Sequence, residues 1–209
     1  MAYLRLSNID PATHAWAILA LLVKRLRQVW PQVKIIFRAD SGFCRWRMLR
    51  WCERHGVHYI VGMARNSRLQ ALAQPLMQQA KMQFEKQKQQ DDSQDAVAMP
   101  HHPQPARVFA DLTYGAYTWD KERRVIAKAE YLRGLSPQDD PKENFRFVVS
   151  NLDGQAQPLY EQVYCQRGEA ENRIKEQQLG LFADRTSCHD FAANQFRMLL
   201  SAAAYVLVE

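Results

Sequence analysis

Several things are scarce in this 209-residue chain. Its four cysteines (Cys44, Cys52, Cys165, Cys188) include no Cys-x-x-Cys pair. That spacing excludes a zinc cluster or disulfide framework and fits reduced thiols. Eight glycines and nine prolines are too few for a collagen-like or linker-dominated chain. The longest uninterrupted apolar run, Ala15 to Val23, has nine residues. Crossing a bilayer takes roughly 18, so no membrane partner is expected. The stretch MAYLRLSNIDP has no apolar signal core, so the expected location is cytoplasmic. Acid is scarce locally: residues 1–70 hold Asp10, Asp40 and Glu53 against twelve Lys/Arg, a balance of +9. The rest of the chain has sixteen bases and nineteen acids, a balance of −3, which gives +6 in all. A basic half points to phosphate-rich partners, with a merely solvated basic face as the plain alternative.

Hydrophobic residues make up 47% of the chain, enough for a core and for about one domain. Asp10-Pro11 reads as a helix start, with Trp16, Leu19, Ala20, Val23, Leu26 and Trp30 as its buried stripe and Pro31 as its stop. Val33 to Ala39 reads as a strand, Phe43 to His55 as a helix ending at Gly56, and Val57 to Met63 as a second strand. That βαβ unit predicts parallel pairing. A helix over 66–90 carries Pro75, and 91–106 is a polar, Pro-rich loop. Short antiparallel strands follow at Val108–Tyr114, Tyr117–Trp119 and Arg124–Tyr131, then a loop over 134–144 and a strand at Phe145–Val149. Helices are predicted over 160–178 and 190–208, the last with Ala192, Phe196, Leu199, Ala203 and Val206 at helical spacing. The fold class is mixed α/β.

Asp40 ends a parallel strand, where open α/β sheets place their ligands. The plain alternative is an Asx-turn cap. In a continuous helix, Tyr164, Arg167, Glu171, Lys175 and Gln178 project within an arc of about 80°. That face suits phosphate handling with one acid for a metal; the plain alternative is an i,i+4 ladder of ion pairs. A strand-end Asp plus a helix Glu suits a divalent-metal phosphodiester site, which normally needs a third carboxylate. His55 and His58 read as solvent-facing, Cys44 and Cys52 as packed, and His101-His102 as loop residues.

The blocks IIFRADSGFCRWRMLRWCERHGVHYIVGMARN and YCQRGEAENRIKEQQLGLFADRTSCHDFAANQFRMLLSAAAYVL resemble the DDE-type transposases of bacterial insertion sequences. The likeness is to the branch with a tyrosine–arginine–glutamate–lysine signature. It implies an RNase H-like fold with a β-rich insertion, Mg²⁺-dependent DNA cleavage and strand transfer, and transposon-end DNA as partner. By position, Asp40 matches the second catalytic Asp and Glu171 the catalytic Glu, both metal ligands. Tyr164 and Arg167 match DNA-phosphate contacts. The signature Lys falls at Gln178, with Lys175 a substitute on the same face. Trp119 would be an insertion aromatic able to stack on a flipped base.

The resemblance puts the first catalytic Asp far upstream of Asp40, where only 39 residues remain and Asp10 is their only acid. The first Asp is therefore expected to be absent, with the early strands of the sheet. The expected organisation is a partial core over 1–90, a β-rich insertion over 91–156 and core helices carrying the Glu over 157–209. A segment inactive alone, a DNA-binding fragment pairing with itself or with full-length transposase, and a non-functional remnant are the three readings.

Overall fold

The computed structural model describes residues 4, 8–10, 12–94, 104–132 and 140–208. The chain divides into two compact units, His14–Tyr164 and a second made of Met1–Thr13 with Cys165–Glu209. Each is described by itself.

The first unit is a five-stranded mixed sheet with helices. In chain order it contains α1 (Ala15–Val29), β1 (Ile36–Ala39), a 3₁₀ turn (Ser41–Phe43), α2 (Trp46–Arg54), β2 (His58–Met63), α3 (Ser67–Gln94), β3 (Ala106–Tyr114), β4 (Arg123–Leu132), β5 (Lys142–Ser150), α4 (Ala156–Pro158) and a π-helical segment (Leu159–Tyr164). The strand order is β1-β2-β5-β4-β3. β1 and β2 pair in parallel, as the βαβ spacing predicts, with Ala39 opposite Val61. The other pairings are antiparallel, so β3–β5 continue the same sheet.

The period-2 alternation sorts side chains between two faces. On one face Tyr59, Val61, Val125, Ala127, Phe147 and Val149 pack with Leu49 and Cys52 of α2 and with Leu69, Ala73, Met77, Ala80 and Phe84 of α3. That α3 set runs at spacings of three and four, so it forms one helical stripe. On the other face Ile60, Ile126 and Val148 meet Leu152, Leu159 and Tyr160.

One buried ion cluster ties α2 to the sheet. The Arg123 side chain, 2% exposed, pairs with Glu53 at 2.8 Å and Asp120 at 2.9 Å. The Tyr59 hydroxyl donates to Glu53 Oε1 at 2.8 Å, and Lys121 stands 3.0 Å from Glu53 Oε2. Burial pushes the Glu53 carboxyl up, but hydrogen bonds from Arg123, Lys121 and Tyr59 together outweigh it and hold the group below its usual range.

The second unit holds α5 (Arg167–Gly180) and α6 (Phe191–Val208). They meet through polar groups: Gln177 Nε2 donates to Ser201 Oγ at 3.4 Å, and the Tyr205 hydroxyl donates to Glu176 Oε2 at 2.6 Å. By length and composition α6 is apolar enough to cross a bilayer. Counting uninterrupted runs misses it because Asn194, Gln195, Arg197 and Ser201 interrupt the sequence.

Several elements differ from expectation. The first helix starts at Ala15, because His14 takes a left-handed conformation (φ 64°) and Asp10 caps only a local turn, accepting from Ala12 N–H at 2.8 Å. Its stripe is mostly exposed: Val23 is buried, whereas Trp16 (56%) and Trp30 (58%) are not. On α6 likewise, Phe196, Leu199 and Val206 are exposed, and the buried positions are Asn194 and Ser201. Periodicity shows that a helix has an apolar face, not what lies against it. Residues 117–119 form a turn rather than a strand, closed by Trp119 N–H donating to Ala116 O at 2.9 Å. The predicted helix over 160–178 is interrupted. Leu159–Tyr164 is π-helical, and at 165–168 i→i+3 bonds (Gly168 N–H to Cys165 O) begin α5 afresh. His55 is exposed and stacks on Trp51 at 4.3 Å, as a solvent-facing residue can. His58 is half-buried instead, on the sheet face of Ile60, with a buried Nδ1 that has no hydrogen-bond partner. His101 and His102 lie outside the described residues.

Candidate active site

The first unit builds its candidate site where the parallel strands end. Asp40 follows the last residue of β1 and caps the 3₁₀ turn, its Oδ1 accepting from Gly42 N–H at 2.9 Å. Phe43 N–H donates to the Asp40 carbonyl at 3.2 Å and Cys44 N–H to the Ser41 carbonyl at 3.2 Å. The Asx-turn geometry is thus present, and it leaves the Asp40 side exposed at the strand end. Cys44, next along, is no nucleophile: burial, only partly offset by Arg45 and Arg123, pushes its thiol to about 11.

Tyr164 reaches this strand end from the far side of the chain. A Cβ built on Gly62 would lie 2.5 Å from the Tyr164 hydroxyl oxygen, 3.1 Å from Ser41 N and 3.3 Å from the Asp40 carbonyl carbon. The Tyr164 hydroxyl and the Asp40–Ser41 peptide therefore crowd one point above β2. Arg38, on β1, donates from Nη1 to the Val163 carbonyl at 3.0 Å and holds the π-helical segment there. The Tyr164 ring rests on Tyr160 at 5.4 Å, which rests on Phe109 at 5.5 Å. The sequence reading missed Gly62 and Arg38. A glycine inside the apolar strand HYIVGM was the available signal, since it marks close approach by another group.

The second unit carries the other candidates. Glu171 is paired with Arg167 one turn earlier on α5, and its side chain is half exposed. From Arg167, Gln178, Glu171 and Lys175 fall at about 20°, 40° and 80° around α5. Gln177, Arg173 and Glu176, which reach Ser201 and Tyr205 on α6, occupy the opposite arc. The Arg167/Glu171/Lys175/Gln178 face thus points away from α6. Tyr164 ends the π-helical segment of the first unit, so the continuous-helix phase behind that expectation does not run through 165–166.

Trp119 is half-buried. Its ring meets Tyr114 edge-on at 5.9 Å, and the Arg123 guanidinium lies 5.4 Å from its centre. That packing occupies the ring within the first unit. The fully exposed aromatic of the same turn is Tyr117.

No group of three or more His, Cys, Asp or Glu able to hold a metal ion occurs among the described residues. Asp40, engaged in an Asx turn, and Glu171, paired with Arg167, are each carboxylates of the kind that hold Mg²⁺, which usually keeps several waters and takes one or two carboxylates.

The exposed Asp40 lies at the C-terminal end of a parallel strand of a mixed α/β sheet, where open α/β sheets place their ligands. Comparison with protein families is specific: the transposase DDE domain group 1 matches residues 1–209, and the chain belongs to that family. A search of curated proteins finds no match.

Proposed function

We propose that this chain carries the second and third carboxylates of a DDE transposase centre, Asp40 and Glu171, and that its substrate is the phosphodiester backbone at transposon ends. The observation that carries this reading is the exposed Asp40 at the end of parallel β1, with the Tyr164 hydroxyl seated behind its turn. Family membership supports transposition of DNA as the setting. The sheet is consistent with an RNase H-like core, and the signature branch supplies the roles. Asp40 and Glu171 are the acids; Tyr164 and Arg167 hold phosphate oxygens, with Lys175 and Gln178 on the same α5 face as Arg167. Trp119 remains the candidate base-stacking residue only if its packing on Tyr114 and Arg123 opens. The family's chemistry draws on a divalent cation, expected to be Mg²⁺. Such a set normally takes a third carboxylate, to which no residue of 1–209 is assigned, so we expect little activity from these residues alone. The location is the cytoplasm, at the nucleoid, with no membrane involved.

A nicking assay on transposon-end duplex with Mg²⁺ tests this reading. The chain alone should cleave little or not at all. Supplying a segment that bears the missing Asp should restore cleavage that both Asp40→Asn and Glu171→Ala abolish. Robust cleavage by the chain alone, lost in Glu171→Ala, would sink the claim of a missing carboxylate.

The +9 balance of residues 1–70 favours a second reading: a non-catalytic fragment that binds DNA or pairs with itself or with full-length transposase. Its affinity for duplex DNA should fall steeply as salt rises. Salt-independent binding would argue against it.

A further inference from the structure

We propose that Gly62 is a positioning residue that acts on Asp40 through Tyr164, an inference that rests on the reading of Asp40 as a working carboxylate. Five of the six β2 positions carry side chains, and glycine in a strand interior is unfavourable unless something approaches closely. The requirement at 62 is steric. Of the described glycines only Gly56 and Gly154 take positive φ, so backbone freedom is not what position 62 needs. A methyl group there would meet the Tyr164 hydroxyl oxygen at 2.5 Å, with Ser41 N at 3.1 Å and the Asp40 carbonyl carbon at 3.3 Å. The register puts Gly62 opposite Val148 and, beyond it, Ile126, both buried, so β2 is hydrogen-bonded into the middle of the sheet at this point.

Tyr164 is not free to swing aside either. Its ring is backed by Tyr160, which is backed by Phe109, and the preceding carbonyl is held by Arg38. A side chain at 62 must therefore lift the π-helical segment or displace the Asp40–Ser41 peptide. Displacing that peptide disturbs the bonds that orient Asp40: Gly42 N–H to Oδ1 and Phe43 N–H to the Asp40 carbonyl. The absent side chain at 62 thus lets a tyrosine more than a hundred residues away brace the turn that aims the carboxylate.

Native-state hydrogen exchange in the full chain tests this. In Gly62→Ala the amides of Gly42, Phe43 and Cys44 should exchange about tenfold faster, while β3–β4 amides change less than about twofold. Adding Tyr164→Phe removes the closest clashing atom and should recover at least half of that effect. Wild-type exchange in Gly62→Ala, or a uniform rise across the sheet that Tyr164→Phe does not relieve, overturns the proposal. Should Gly62→Ala fail to fold, Tyr164→Phe alone should speed exchange at the same three amides by about threefold; no change there overturns it equally. The underlying reading fails separately. Restored Mg²⁺-dependent cleavage that survives Asp40→Asn removes Asp40 from the chemistry, whatever the exchange data show.

Discussion

In the sheet unit, Leu49, Cys52, Ile60, Leu69, Met77, Ile126 and Val149 are completely buried, and the buried charges Arg123 and Glu130 are each paired, Arg123 with Glu53 and Asp120 and Glu130 with Lys128 and Arg107. In the helical unit the relation is inverted. Its buried described residues are Asn194 and Ser201, while Phe196 is 63% and Leu207 87% exposed. Both units use helices with apolar faces. The sheet unit offers its helices a pleated apolar surface, and α3 lays a stripe from Leu69 to Phe84 on it. The two helices of the other unit meet instead through the Gln177–Ser201 and Glu176–Tyr205 hydrogen bonds. Apolar burial therefore stabilises the unit that holds Asp40. The unit that holds Glu171 relies on polar contacts and short-range ion pairs.

The sharpest way to break this contrast is in the core. Leu49→Ala should cost about 2–5 kcal/mol in urea unfolding, because the fully buried side chain leaves a cavity under α2. A loss below about 1 kcal/mol would mean the sheet core is not the stabilising element. Next comes the ion cluster. Arg123→Ala strands Glu53 and Asp120 and should cost about 3 kcal/mol by the same measurement. The helical counterpart, Arg173→Ala, breaks exposed pairs with Glu169 and Glu176 and should cost less than about 0.5 kcal/mol.

Acid should weaken the sheet unit. Burial raises Glu53 and Glu130, but their hydrogen bonds to Arg123 and Lys128 and further partners leave both depressed from 4.5 in the folded state. Depressed carboxylates add stability above the unfolded value, and that stability is lost as pH falls from about 4.5 through the lower folded values. The midpoint temperature should therefore drop below pH 4.5, and Glu53→Gln should flatten that drop. An unchanged slope would detach Glu53 from acid sensitivity. The smallest effect is expected at Phe196→Ala, within about 0.5 kcal/mol, since most of that ring already meets solvent. A larger loss would show that something covers α6.

Much of the local structure was legible from residue patterns. Runs of β-branched and aromatic residues in VKIIFRA and VHYIVGM marked β1 and β2, the intervening helix length made them parallel, and Gly56, with φ 60°, marked the end of α2. The turn at Asp40 was legible because Asp-Ser-Gly after a strand is a turn signature. The break in the helix predicted over 160–178 was not legible, because a π segment and a turn carry no periodic signature that separates them from an α-helix.

The sequence by itself determined most of the helix and strand segments and where charge and carboxylates fall along the chain, since those follow from near-neighbour sterics and side-chain periodicity. Tertiary structure alone decided which apolar faces find a partner, that Arg123 is buried with Glu53 while Trp16 is not, and that Tyr164 stands behind Asp40. Those outcomes depend on distant segments filling the same space, and no local pattern encodes the space left beside one glycine.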